Sequence, residues 1–149
     1  MIAAPIVLTS LLCSAYGQAE LQGQVTIDEL NEASGLAFSA DGTRLWSHND
    51  SGDDARLFTF DRAGNDQGQV TLIDQQAFDW EDLSAGPCNE RRCLYVGDIG
   101  DNLSQREQIA ILRIDEPEAP GPGQVQRLHA QRLVLRYPDG PRDAESLAA

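Results

Sequence analysis

Two stretches of this chain repeat one another in outline, and that repetition restricts the fold more than any other feature. Leu45-Trp46 runs into Asp50-Ser51-Gly52-Asp53-Asp54 and then Leu57-Phe58-Thr59-Phe60-Asp61. Leu94-Tyr95 runs into Asp98-Ile99-Gly100-Asp101-Asn102 and then Ile111-Leu112-Arg113-Ile114-Asp115. Each copy reads as a strand, an Asp-x-Gly-Asp turn and a second strand closed by Asp. A further phrase precedes each copy and occurs a third time, as Glu32-Ala33-Ser34-Gly35-Leu36-Ala37, Asp79-Trp80-Glu81-Asp82-Leu83-Ser84 and Asp143-Ala144-Glu145-Ser146-Leu147-Ala148. Recurring units of this size are stacked pieces of sheet, because one such piece cannot bury its apolar face alone.

Apolar runs bounded by turn residues predict strands at 25–27, 34–38, 44–47, 56–60, 70–73, 83–85, 93–96, 109–114 and 132–137. Turn chemistry falls between them, at Asp41-Gly42, Ser51-Gly52, Gly64-Asn65, Gly86-Pro87, Ile99-Gly100 and Asp139-Gly140. One helical turn is expected at 28–31, with Asp28 as its cap. The fold class is therefore all-β. Leu36 and Leu83 are separated by about the 40–45 residues of one four-stranded propeller blade. The step from Leu83 to Leu147 is longer, and the Pro/Gly-rich stretch Glu116-Pro117-Glu118-Ala119-Pro120-Gly121-Pro122-Gly123 accounts for the excess. The expected architecture over residues 20–149 is a partial β-propeller, about two blades and the start of a third. A ring needs about four to eight blades, so the chain reads as a fragment. An open sandwich of two sheets is the alternative.

Charge narrows the partners. There are 24 acidic and 11 basic residues, a net charge of −13, which repels phosphate backbones and argues against nucleic acid. Residues 1–19 carry no charge and include an apolar run over 2–12. That run is shorter than the about 20 residues of a membrane span, and Ala15-Tyr16-Gly17 suits a cleavage site, so 1–19 reads as a signal peptide, with no stable membrane span. Removing it removes Cys13 and leaves Cys88 and Cys93 as a pair around Asn89-Glu90-Arg91-Arg92. A disulfide across that short turn contributes about 2 kcal/mol on the loop-entropy argument and belongs in an oxidising, secreted or periplasmic compartment.

Glu32-Ala33-Ser34-Gly35-Leu36-Ala37, Asp79-Trp80-Glu81-Asp82-Leu83, Gly97-Asp98-Ile99-Gly100-Asp101-Asn102 and Tyr137-Pro138-Asp139-Gly140 with Asp143-Ala144-Glu145-Ser146-Leu147 resemble the phytase-like, esterase-like β-propeller proteins exported by bacteria. The Gly-Asp-Ile-Gly-Asp-Asn phrase is the most specific part. The resemblance covers residues 32–148 and implies a propeller, export, and hydrolysis of phosphoesters or other esters.

Two acidic constellations are candidates for the site. Asp50, Asp53 and Asp54, and again Asp98, Asp101 and Asn102, crowd oxygen donors around a Gly-containing turn. Hard cations such as Ca²⁺ take about six to eight oxygens, and a loop of this kind supplies several; Asx turns that only shape the loop use the same residues. Glu32, Glu81, Asp82 and Glu145 each precede the inner-strand Leu or its counterpart, so successive units bring them together at one end. There they could bind a cation, hold one carboxyl protonated as a general acid, or only wet the surface. His48, Glu81, Asp82 and Glu145 are the catalytic candidates. Arg91, Arg92, Arg106 and Arg142 are the cations available to a phosphate, or to neighbouring carboxylates. No Gly-x-Ser-x-Gly elbow occurs. Two functions follow: a Ca²⁺-assisted hydrolase of a small ester or phosphoester, or a non-catalytic propeller that binds a ligand such as a protein and uses Ca²⁺ for rigidity.

Overall fold

The computed structural model describes residues 19–149; the expected leader, apart from Ala19, lies outside the described residues. Within them there is no helix, and the strands are β1 (Ala33–Phe38), β2 (Arg44–Asn49), β3 (Arg56–Asp61), β4 (Asp66–Ile73), β5 (Trp80–Cys88), β6 (Arg91–Asp98), β7 (Ile109–Asp115), β8 (Val125–His129) and β9 (Gln131–Leu135). They form two sheets. β1, β2, β3 and β4 make an antiparallel meander, to which β8 adds in parallel beside β4. β5, β6, β7 and β9 make a second antiparallel sheet.

Turn chemistry sets the hairpins. Asp41 accepts from the Ser39 hydroxyl at 2.6 Å and from Thr43 N at 3.0 Å, which folds the chain between β1 and β2. Asp61 does the same between β3 and β4, taking Ala63 N and Asn65 N at 2.9 Å each. Cys88 and Cys93 are bridged and clamp the β5–β6 hairpin, with Cα atoms 5.7 Å apart. The segment at 25–27 is not a strand. Gln24 N and Thr26 N donate to Ala63 O and Gly64 O, so it lies along the β3–β4 turn, and Ile27 and Leu30 cover Phe58 and Phe60. The helical turn at 28–31 reduces to one bond, from Leu30 N to Ile27 O.

The two meanders correspond residue by residue. Trp46 stands opposite Ala37 and Thr59, as Tyr95 stands opposite Ser84 and Arg113. Ser47 pairs with Phe58 as Val96 pairs with Leu112, and Leu45 with Phe60 as Leu94 with Ile114. Burial, however, is inverted. The core between the sheets takes Ala37, Trp46, Leu57, Val70 and Leu72 from the first sheet, and Leu83, Leu94, Val96, Leu112 and Ile114 from the second. Tyr95, the counterpart of buried Trp46, is half-buried on the far side, its hydroxyl donating to Pro87 O. Leu36, the counterpart of buried Leu83, is 56% exposed. One sheet thus presents to its neighbour the side that the neighbour turns away.

The third copy of the phrase continues the series. Where Gly35 lies flush against Leu83, its counterpart Asp82 accepts Leu147 N at 2.7 Å. Ala149 N donates to Ser84 Oγ at 3.0 Å, and Asp143 accepts Asp101 N. The segment therefore sits beside β5 in the position that β5 holds beside β1, although it pairs with no strand.

β8 was absent from the expected strands because its partly exposed alternation, Val-Gln-Arg-Leu-His, carries little apolar signal. The Pro/Gly-rich stretch delivers it: after β7 the chain crosses to the outer edge of the first sheet before returning as β9. At the start of that crossing Glu116 fastens the sheets together. Its carboxylate accepts Ala40 N at 2.9 Å and Trp46 Nε1 at 3.3 Å, and Arg92 Nε stands 3.3 Å from its other oxygen. The side chain is 6% exposed, so its loss strands two donors. Glu116→Ala is expected to lower the unfolding free energy by about 1–3 kcal/mol in a denaturant titration, whereas Glu116→Gln, which keeps an acceptor, is expected to cost less.

Candidate functional site

The inner ends of the two sheets meet where β1 lies against β5, and the carboxylates gather there. Asp50 leaves β2, while Asp79 and Glu81 enter and begin β5; one oxygen from each lies within 4.8 Å of the others. Gly100 makes room for them, because a Cβ at that position would collide with the Glu81 and Asp79 carboxylates. Burial, then a side-chain hydrogen bond with Glu145, then the charges of Glu145, Asp50 and Asp79 push the Glu81 carboxyl up to about 7. Burial also raises Asp79; Arg106 opposes it, and Asp50, Asp143 and Asp98 add to the rise.

The remaining residues singled out in the sequence have other partners. Asp53 accepts Arg56 Nε at 2.9 Å and Asn49 Nδ2 at 2.7 Å. Burial works against its ionised form, but those bonds outweigh burial and hold its carboxyl below the usual range. Asp54 is exposed, and Asp50, Asp53 and Asp54 do not bring their carboxylates together. Asp98 is buried and is held by Arg106 at 2.9 Å, Arg132 at 3.3 Å and Asp79 N at 3.2 Å. Asp101 shapes its loop, accepting Gln105 N and Arg106 N at 2.8 and 2.7 Å, and Asn102 is exposed. Glu32 is exposed, and its backbone N–H donates to Asn49 Oδ1.

Among the catalytic candidates, Glu81 and Glu145 are neighbours, while Asp82 spends its oxygens on Leu83 N and Leu147 N. His48 is wholly buried, edge-on to Trp80 with ring centroids 5.5 Å apart. Its Nδ1 lies 2.7 Å from Asn49 O, and Nε2 has no hydrogen-bond partner. Burial pushes its imidazole below the ordinary range, against the pull of the Asn49 and Asp82 backbone and of the Asp82 and Asp50 charges. A second group of metal-type donors, Cys88, Cys93 and Asp115, is spent differently: the sulfurs are joined to each other and Asp115 pairs with Arg91.

Sequence reasoning passed over Asp79, although its place at the head of the second copy, matching Glu32 and Asp143, carried the signal. Arg106, one of the cations expected to meet either a phosphate or a neighbouring carboxylate, pairs with Asp98, whereas the role of Arg132 had no local signal. No family model, curated protein or solved structure matches the chain. No helix among the described residues is long and apolar enough to cross a membrane.

The raised Glu81 carboxyl fixes the sign of a pH effect. Below about 4.5 Glu81 is neutral both folded and unfolded; above about 7 it is ionised in both, and the folded chain bears the full repulsion. Stability conferred by the neutral form is thus lost as pH rises through that window. At about 1.4 kcal/mol per pKa unit, and with solvent screening the half-buried cluster, the loss is about 1–2 kcal/mol. Thermal melts in chelator from pH 4.5 to 8 are expected to show it, and Glu81→Gln is expected to flatten the profile.

Proposed function

We propose that this chain is a stretch of an exported, phytase-like β-propeller, and that its acidic inner end holds a divalent cation in the service of ester or phosphoester hydrolysis. Support for a ring comes from the inverted burial of equivalent residues. Units generated by a repeated rotation meet by unlike sides, whereas a two-fold pairing brings like sides together. Trp46 against the second sheet, with Tyr95 facing away from it, follows the first rule, and the lodging of 143–149 beside β5 extends it by one step. The disulfide suits an oxidising compartment.

The observation that carries the site is the convergence of Asp50, Asp79 and Glu81. Oxygens within 4.8 Å of one another fit around a single Ca²⁺, whose Ca–O distances of about 2.3–2.6 Å place opposed ligands about 4.6–5.2 Å apart. Neighbouring Glu145 adds a further carboxylate to a site with places left for water or substrate. A bound cation would supply Lewis-acid stabilisation of developing negative charge. Glu81, whose carboxyl is raised by burial and by its acidic neighbours while no cation offsets them, would be held ionised by such a cation and would serve there as a ligand.

A second reading, a binding module with structural Ca²⁺, draws on the burial of His48, which keeps that imidazole from reaching a substrate at this end. Calorimetric titration is expected to give one Ca²⁺ site, weakened at least about tenfold by Asp79→Asn. Turnover of p-nitrophenyl phosphate or p-nitrophenyl acetate should then be lost in chelator and in Glu81→Gln. Binding without turnover supports the module, and absence of binding removes both readings.

A further inference from the structure

Beside the acidic group lies a cleft of different chemistry. The chain leaves β2 through residues 50–55 and β4 through residues 74–79, and between these two loops is a space of about 400 Å³ lined by residues 52–55 and 75–78. That volume falls within the about 300–1,000 Å³ of small-molecule sites. Ala77 and Trp80 turn into the core between the sheets, which leaves Phe78 pointing outward on the cleft wall, 68% exposed. Gln75 is half-buried, while Gln76 and Asp54 are exposed. One aromatic ring thus stands among two carboxamides and a carboxylate.

We infer that this cleft binds a neutral carbohydrate, one sugar ring stacked on Phe78 and its hydroxyls bonded to Gln75, Gln76 and Asp54. Charge disfavours the alternatives of either sign. Arg56 is committed to Asp53 through Nε and a terminal nitrogen, both at 2.9 Å, and Arg106 to Gly100 O at 2.6 Å and Asp98 at 2.9 Å. An anion would therefore meet Asp54, with Asp50 and Asp79 on the same two loops, and neither guanidinium is free to receive it. A cation over the ring would meet Arg106, whose guanidinium already lies 5.8 Å from the Phe78 centroid. A wholly apolar ligand would strip water from the carboxamides and the carboxylate without replacing their hydrogen bonds. A sugar meets both demands: C–H groups on one face of its ring cover Phe78, while hydroxyls at its rim donate to the carboxylate and exchange bonds with the carboxamides. The inference stands without a cation in the acidic group.

Cellotriose, maltotriose and xylotriose, each titrated into the full chain in excess chelator and followed by backbone amide shifts, test this. At least one is expected to bind at about 0.1–10 mM and to move resonances of residues 52–55 and 75–78. Phe78→Ala should weaken it about five- to tenfold at an unchanged melting temperature, since the ring is exposed. Gln76→Ala, at another exposed side chain, should weaken it about three- to tenfold. Trigalacturonate, of the same size but anionic, should bind at least about fivefold more weakly. Because chelator removes any cation, failure of the hydrolase reading would leave these results standing. No binding by the neutral trisaccharides, undiminished binding by both variants, or shifts confined to residues outside the cleft would overturn the inference. Tighter binding of trigalacturonate, or of the cationic glucosamine trimer, would overturn it too, by making the cleft a site for charge.

Discussion

Contact between β1 and β5 is the constraint on which the rest depends. At Gly35 the two strands come so close that a single Cβ would collide with the Leu83 nitrogen, the Asp82 carbonyl carbon and the His48 ring. Ser34 crosses the same gap to donate to Glu81 O at 2.6 Å. Closing this seam brings Trp46 and Trp80 into one core; burying about 150–250 Å² of each indole is worth about 4–6 kcal/mol before entropy is subtracted. The same closure carries Asp50, on the loop after β2, to Asp79 and Glu81 at the head of β5. Apolar packing thus assembles the acidic group, and the favourable burial of the seam offsets the repulsion that assembly imposes.

Repetition made most of this legible beforehand. Both meanders, their Asp-closed turns, the paired cysteines and the place of the insert can be read from phrases that recur at a strand's scale, because a two-residue period and turn residues are local signals. The sense of stacking cannot be read in that way. Trp46 and Tyr95 occupy matching register positions, and nothing local distinguishes the one that is covered from the one that is not; the difference lies in which neighbour each sheet has. β8 escaped for a related reason. Its strand conformation is imposed by β4, whose edge it completes, more than by its own residues.

Acid density was equally visible, but its allocation was not. Both loops present similar oxygens, yet Asp53 draws in Arg56 while Asp98 draws in Arg106 and Arg132, so these carboxylates are neutralised within the fold. Arg132 reaches Asp98 from β9, the last strand of its sheet, a separation no spacing rule anticipates. Breaking such a buried pair by removing one partner costs about 3–5 kcal/mol, so Asp98 reads first as a structural anchor of the second unit.

Register explains why the carboxylates left without such partners collect at the first junction. Arg132 lies opposite Leu112 on β7; the corresponding position in the first sheet, opposite Phe58, is held by Gln69. Gln69 brings no charge, and β4 contains no arginine or lysine. β4 therefore has no cation to send inward, and the loop of the first unit faces Asp79 and Glu81 with Arg56 already committed to Asp53. One replacement between otherwise equivalent strands leaves negative charge at one junction and quenches it at the next. The difference between Gln69 and Arg132 thus decides where along the chain negative charge is left without an internal partner.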